Sequence, residues 1–340
     1  MNFYPDHPLQ AFWNLAAAPI QSRALALALA QGLFDSLAQP ATANRVAQRL
    51  GLHPTGAAVW LDLLWSMGLL SRSVAPATPR TEPEYGVSTL ASRFFAAGSA
   101  GNCAAAWQYR AGVLGSFATQ LDGLLRDGRD DEFPPGNWAQ AAQTQIDQEQ
   151  RAITVPAVLQ KLDDWRDLPE RGRFLDLGGG PGHVAIALAR RLPHWRGTVC
   201  DLPDTVPVAQ DNIRRAALSA RLDTLGCDLK RDAIGSGYDL IWCSSVLHFL
   251  DDPQAGLRMM LEALNHGGLL VTAHAEISED AAVAARVLPF YAPMMLRGRY
   301  VPRAGDIVCA MERAGFRSIR ALGRADFPMT PLWLYSGRRP

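Results

Sequence analysis

The residues best suited to chemistry stand in one short run, Asp176-Leu177-Gly178-Gly179-Gly180-Pro181-Gly182-His183. Glycines between a buried strand and a helix let the backbone turn sharply and approach a ligand, and the helix N-terminus favours the ligand's negative group. Spacing narrows the choice of ligand. The dinucleotide pattern G-x-G-x-x-G fails, because a count from Gly178 and Gly180 ends on His183, and the phosphate loop G-x-x-x-x-G-K-[ST] fails for want of a lysine. What fits is acidic-x-G-x-G-x-G, formed by Asp176, Gly178, Gly180 and Gly182. Asp201 closes the next strand-like run, where a carboxylate can accept both hydroxyls of a ribose. Asp228 follows a third such run, in reach of an adenine amino group. The competing reading is structural: the glycines make a tight turn and the two aspartates only cap helices. Three such features at the carboxyl ends of successive strands favour ligand binding.

Only a parallel sheet would bring these residues together. From Arg173 onward, short apolar runs at 174–177, 198–202, 238–243 and 268–273 alternate with helical patterns, one of them at 184–191. That alternation predicts a parallel sheet covered by helices on both faces. The late runs 317–322 and 332–335 predict a terminal hairpin on the same sheet.

The first part of the chain reads differently. Residues 8 to about 72 are expected to be helical. The run 24–30 alternates like a strand, but alanine and leucine are strong helix formers, and apolar residues continue at Leu33, Phe34 and Leu37. Thr42 is the expected N-cap for a helix over 43–50, which Gly51 ends. A second helix runs from about Pro54 to Met67, Gly68 closes it, and a hairpin pairs 70–72 with 85–88. Helix, turn, helix and hairpin make a winged-helix layout. DNA binding would need arginine, lysine, asparagine or glutamine on the second helix, and residues 55–65 hold no basic residue. An apolar helix bearing tryptophan suits a subunit interface better. Residues 101–166 read as helical again, broken by a loop at 127–137 that holds Pro134-Pro135-Gly136. The expected domains are 1–100 and 101–340.

Composition sets the outer bounds. The 340 residues are 48% apolar and 19% charged, enough for two ordered domains. Thirty-three basic residues balance thirty-three acidic ones, which gives no electrostatic footprint for nucleic acid or for an anionic membrane. Five scattered cysteines without a CxxC pair argue against a disulfide framework or structural zinc and for a reducing cytoplasm. The N-terminal residues lack a basic segment followed by an apolar core, so no secretory signal is expected. The longest apolar stretch, 24–30, is far shorter than the roughly 20 residues of a membrane helix.

With these motifs in order, the chain resembles the small-molecule O-methyltransferases of the plant caffeate type and their bacterial antibiotic-pathway relatives. In the first domain the likeness rests on Leu33-Phe34-Asp35, Val46-Ala47-Gln48-Arg49-Leu50-Gly51-Leu52, Met67-Gly68-Leu69-Leu70 and Tyr85-Gly86-Val87-Ser88. In the second it rests on Phe174 to Gly182, Asp201-Leu202-Pro203, Cys227-Asp228-Leu229, Val246-Leu247-His248 and Ala314-Gly315-Phe316. The resemblance implies an α-helical winged-helix dimerisation domain, then an α/β, Rossmann-like class I methyltransferase domain with a mostly parallel sheet. It implies a homodimer joined through the N-terminal domain, a small aromatic substrate, and S-adenosylmethionine as methyl donor, leaving as S-adenosylhomocysteine. The implied donor-binding residues are Asp176, Gly178, Gly180, Gly182, Asp201, Leu202, Asp228, Leu229, Cys243 and Ser244.

Methyl transfer needs the acceptor atom in line with the methyl–sulfur bond, and a phenol with a pKa of about 10 benefits from a base. His248 matches the family's catalytic histidine and lies just beyond the fourth strand. This chain departs from the family around it. His248-Phe249-Leu250 replaces the common His-Asp-Trp, His274 stands where relatives often carry glutamate, and a second glutamate seat falls near Val301. Glu276, Asp251 and Asp252 are the possible substitutes for orienting the base. A rival reading lets His248 and His274 share a metal, but two histidines without a third ligand are a weak signature, and no metal is expected. N- or C-methylation is the alternative on the same fold, and a ligand-responsive DNA-binding regulator the alternative outside it. Trp107, Tyr109, Arg110, His274, Phe290 and Met294 are the candidate pocket residues, with Tyr291 and Met295 beside them and Arg297 and Arg299 as further cations.

Overall fold

The computed structural model describes residues 7–73, 82–127, 137–162, 165, 168–325, 327 and 329–340. The readings made of residues 1–6 and 128–136 lie outside the described residues. The chain divides into two compact units, Met1–Ala111 and Gly112–Pro340.

In the first unit the alanine- and leucine-rich segment forms the helix Gln10–Ala30. Gly32, with φ +60°, then redirects the chain into the short turn Leu33–Ser36. Strand β1 (Ala41–Thr42) leads into the helix Ala43–Leu50, whose Thr42 hydroxyl accepts the Arg45 amide at 3.4 Å. The helix Pro54–Ser66 follows, then β2 (Leu70–Arg72) and β3 (Glu84–Val87). The three strands form an antiparallel sheet in the order β1-β3-β2. Leu33, Phe34, Val46, Leu61, Leu64 and Tyr85 make the core of this winged-helix unit. The pairing of β1 was not foreseen, since two residues carry no periodicity.

The second unit holds a seven-stranded sheet. Its strands are β4 (Gly172–Leu177), β5 (Trp195–Asp201), β6 (Leu222–Gly226), β7 (Tyr238–Ser244), β8 (Leu264–His274), β9 (Arg317–Ala325) and β10 (Leu332–Arg338). Their order is β6-β5-β4-β7-β8-β10-β9. The first five are parallel, whereas β10 runs antiparallel to both β8 and β9. Strand β8 begins earlier than its apolar run, because the polar residues after Leu264 are taken up at a register irregularity opposite Tyr238–Leu240. One core layer includes Phe174, Val184, Leu188, Val199 and Trp242; the other includes Leu175, Ile241, Leu257, Met260 and Ile307. Strand order reverses between β4 and β7, so the crevice for a ligand opens at their carboxyl ends.

Candidate active site

The glycine run follows β4 directly. Gly178, Gly180 and Gly182 take positive φ angles of +68°, +54° and +77°, a region nearly closed to other residues. The Gly178 and Gly179 amides donate to the Cys200 carbonyl at 2.8 and 3.2 Å, which ties the loop to the end of β5. A Cβ on Gly178 would sit 2.4 Å from Cγ2 of Val246, two residues before His248. Only a bare backbone lets the two loops across the switch point approach so closely.

Asp201 ends β5 with both oxygens engaged. Its Oδ2 accepts the Gly180 amide at 2.7 Å and its Oδ1 the Leu202 amide at 2.8 Å. Burial pushes its carboxyl up, and the two amides oppose that. A carboxylate has about four acceptor sites, so Asp201 keeps room for a hydroxyl group beside these amides and the neighbouring Thr205 hydroxyl. Asp176 is buried, and its Oδ2 accepts the Ala185 amide at 3.1 Å in the first turn of the helix His183–Arg191. Asp176 therefore caps this helix from the end of β4, a role the sequence reading considered only for Asp201 and Asp228. Burial pushes its carboxyl up to about 7, with the Asp201 charge adding and the Ala185 amide opposing. Asp228 follows β6; its carboxylate takes the Lys230 amide at 3.1 Å and Arg231 at 2.6 Å, which hold it below the usual range. Leu202 and Leu229 stand next to these carboxylates, and Cys243 and Ser244 close β7.

The first amide of the helix that follows the glycine loop already has a side-chain partner. The His183 amide donates to Gln150 Oε1 at 3.1 Å, and Gln150 Nε2 donates to the Gly179 carbonyl at 3.0 Å. Gln150 went unnoticed because its partners lie 29 and 33 positions along the chain and no motif marks it.

Beyond β7, Ser245 at φ +55° turns the chain into a short 3-10 turn, Leu247–Phe249, that carries His248. His248 is buried, its ring 4.2 Å from that of Phe249 and edge-on to Tyr291 at 5.7 Å. Phe249 in turn meets Trp138 edge-on at 5.0 Å, an aromatic neighbour that the sequence did not single out. His274 ends β8, fully buried, with Nε2 finding no hydrogen-bond partner among the described residues. Burial, and then the neighbouring His248, push it down to about 3, so it stays neutral at physiological pH.

The three carboxylates considered as orienters of His248 have other work. Asp251 binds Lys230 at 2.8 Å, Asp252 accepts the Ala255 amide at 3.0 Å, and Glu276 accepts the Tyr335 hydroxyl at 2.9 Å. Arg297 donates to Gln120 at 2.9 Å and Arg299 lies 3.7 Å from Asp251. Phe290 and Met294 are half-buried on the helix Leu288–Leu296, while Tyr291 and Met295 pack against the core. Trp107 packs into the core of the first unit, and Arg110 lies over the exposed Tyr109 ring at 5.7 Å. Among the described residues no group of three or more His, Cys, Asp or Glu side chains could hold a metal ion.

Two family models match this chain: an O-methyltransferase dimerisation domain over residues 13–97 and a methyltransferase domain over 175–270. The chain belongs to the S-adenosylmethionine-dependent O-methyltransferase family. It is thus a methyltransferase whose methyl donor is S-adenosylmethionine. Among its relatives is 3-hydroxy-5-methyl-1-naphthoate 3-O-methyltransferase of Streptomyces sahachiroi, 28% identical over 78% of this chain and 77% of the relative. Another is N,N-dimethyltransferase OxyT of Streptomyces rimosus, 29% identical over 95% of this chain and 94% of the relative. The crystal structure of human N-acetylserotonin methyltransferase in complex with SAM has the same fold, with a TM-score of 0.78, 20% identity, and 100% and 99% of the two chains covered.

Proposed function

We propose that this methyltransferase acts on a hydroxyl group of a small aromatic acceptor, with His248 as general base. The observation that carries the reading is the position of His248, buried at the switch point against Phe249 and Tyr291, on the turn that abuts the glycine loop. The donor, when bound, supplies an electrophilic methyl group on a sulfonium. Gly178, Gly180 and Gly182 offer backbone without side chains, and Asp201 offers its remaining acceptor site to a ribose hydroxyl. Asp176 shapes the loop from beneath. Leu202, Asp228, Leu229, Cys243 and Ser244 complete the strand ends that flank it.

His248 takes the proton of the acceptor hydroxyl, and Phe249 and Tyr291 hold the acceptor ring from the sides of the imidazole. His274 faces the acceptor as a neutral hydrogen-bonding group, consistent with its unpartnered Nε2. The naphthoate-methylating relative supports an aromatic hydroxyl acceptor. The N,N-dimethyltransferase relative favours amine methylation as the second reading. An amine brings its own lone pair and has less need of a base.

The exposed apolar side chains of the first unit and its match to the dimerisation model support a homodimer. The helix Pro54–Ser66 carries no basic side chain, which favours an interface over DNA. Five free cysteines suit a reducing cytoplasm. No helix among the described residues is long and apolar enough to cross a membrane.

Labelled donor, a panel of hydroxylated and amino aromatics, and mass spectrometry of the products identify the acceptor atom. His248→Ala is expected to lower kcat by roughly 10²–10⁴-fold on a hydroxyl acceptor, with S-adenosylhomocysteine affinity unchanged within about twofold. Full turnover in that variant would remove the base from the mechanism.

A further inference from the structure

The segment that covers the glycine loop is built to hold it. Between the helices Gln145–Glu149 and Val155–Lys161 lies one turn of π-helix, Gln150–Thr154, and Gln150 is its first residue. A π turn widens the helix and re-aims the side chains that enter it, and such turns collect at functional sites. Here both ends of the Gln150 amide are spent on the loop: Nε2 on the Gly179 carbonyl at 3.0 Å, Oε1 on the His183 amide at 3.1 Å. The helix His183–Arg191 starts after Gly182, which has no side chain to cap it, and Gln150 supplies that cap from outside.

The same helical face grips the His183 side chain. Asp147 Oδ1 lies 2.6 Å from His183 Nε2, and Asp147 Oδ2 accepts from Arg151 at 2.8 and 2.7 Å. Residues 147, 150 and 151 share one side of the helix by their spacing. Gly180 lies directly beneath: a Cβ placed there would be 3.5 Å from Ile146 and 3.7 Å from Gln150. In that conformation, with φ at +54°, the Gly180 amide reaches Asp201 at 2.7 Å.

We propose that Gln150 is a positioning residue for the methyl-donor loop, held in place by Asp147 and Arg151, and that it sets donor affinity rather than the rate of the chemical step. The proposal rests on the placement of the donor in the loop after β4. Gln150 spans Gly179 to His183 and so fixes the backbone that presents Gly180 to Asp201. Without it the loop samples conformations in which that contact is broken, and the donor must select the competent one.

Gln150→Met keeps the bulk and removes both hydrogen bonds. Calorimetry with S-adenosylhomocysteine is expected to show Kd raised roughly tenfold, the scale of one or two such bonds. KM for the donor should rise with it, while kcat at saturating donor and KM for the acceptor stay within about twofold. Hydrogen exchange in the protein alone should accelerate at residues 180–184. Asp147→Asn should shift Kd in the same direction by less. A purely structural role would lower the thermal midpoint without separating the two KM values. An unchanged Kd in folded Gln150→Met overturns the proposal, and Gln150→Ala gives the same comparison if the larger side chain does not fold. Asp201→Ala separates the two failures. If it abolishes binding while Gln150→Met does not, only the role of Gln150 falls; if neither matters, the donor is not in this loop.

Discussion

Glu276 shows how much one side chain can tell when its surroundings are read atom by atom. It is buried just beyond β8, with Oε2 accepting the Tyr335 hydroxyl at 2.9 Å and Oε1 without a partner among the described residues. Burial pushes its carboxyl from an ordinary 4.5 up to about 7; Tyr335 and the Gly305 amide oppose the shift and Asp306 adds to it. Between those pH values the native protein keeps a proton that the unfolded chain has released. Glu276 therefore contributes stability that is whole below about pH 4.5 and is lost as pH rises to about 7. Gln in its place accepts the same hydroxyl and carries no charge. Glu276→Gln should match the parent protein at pH 4 and gain on it by on the order of 2 kcal/mol at pH 8. Urea unfolding at the two pH values checks this, and parallel pH profiles for the two proteins would refute it. The family resemblance made Glu276 a possible substitute for the carboxylate that orients His248. It could not show that Tyr335 claims it, because that pairing depends on the antiparallel placement of β10 beside β8.

At the scale of elements, the motif residues were legible where the signal is local, and opaque where the partner is distant. The strand-to-helix junction at Gly178–Gly182, the Thr42 cap and the terminal strand pair follow from neighbouring residue types. The cap supplied by Gln150 and the contact of Trp138 with Phe249 arise only once the chain has folded back. The switch point joins both kinds of information. Gly178 belongs to a motif any reader would mark, yet the structure adds a reason for it: Val246 occupies the space a Cβ would need. Gly178→Ala must both strain a backbone at φ +68° and push back the turn that carries His248. The expected cost is roughly 2–6 kcal/mol of stability, from about 1–3 for the backbone and a similar range for overpacking. Donor affinity and kcat should fall together, unlike in the His248 variant, because both loops move. Denaturant melts and single-turnover rates test this, and a loss of affinity alone would mean that the β4 loop yields without disturbing the β7 turn.

The whole molecule raises the question of what covers the first unit. The helix Gln10–Ala30 buries only Ala24, Leu25 and Ala28, yet Phe12, Trp13, Leu15 and Ile20 are 67%, 68%, 70% and 66% exposed. Large apolar side chains so exposed and so close together mark an interaction surface, since a monomer gains nothing from leaving them in water. The helix expected to form the interface, Pro54–Ser66, sends Leu61 and Leu64 into its own core and leaves Val59 and Trp65 outside. The match to the dimerisation model, from residue 13 to 97, covers the helix Pro54–Ser66 and the helix Gln10–Ala30 from Trp13 onward. Two aromatic rings buried at an interface contribute roughly 2–3 kcal/mol each at about 25 cal/mol per Å². Phe12→Glu with Trp13→Glu removes that contribution and sets four like charges in a symmetric contact. The doubly substituted protein should therefore run as a monomer in light scattering at concentrations where the parent is a dimer, with dimer affinity weakened by more than about 100-fold. Its second unit should keep its affinity for S-adenosylhomocysteine, because every residue assigned to the donor loop belongs to Gly112–Pro340. A dimer that survives both substitutions would move the interface away from the helix Gln10–Ala30 and leave its apolar face to another partner.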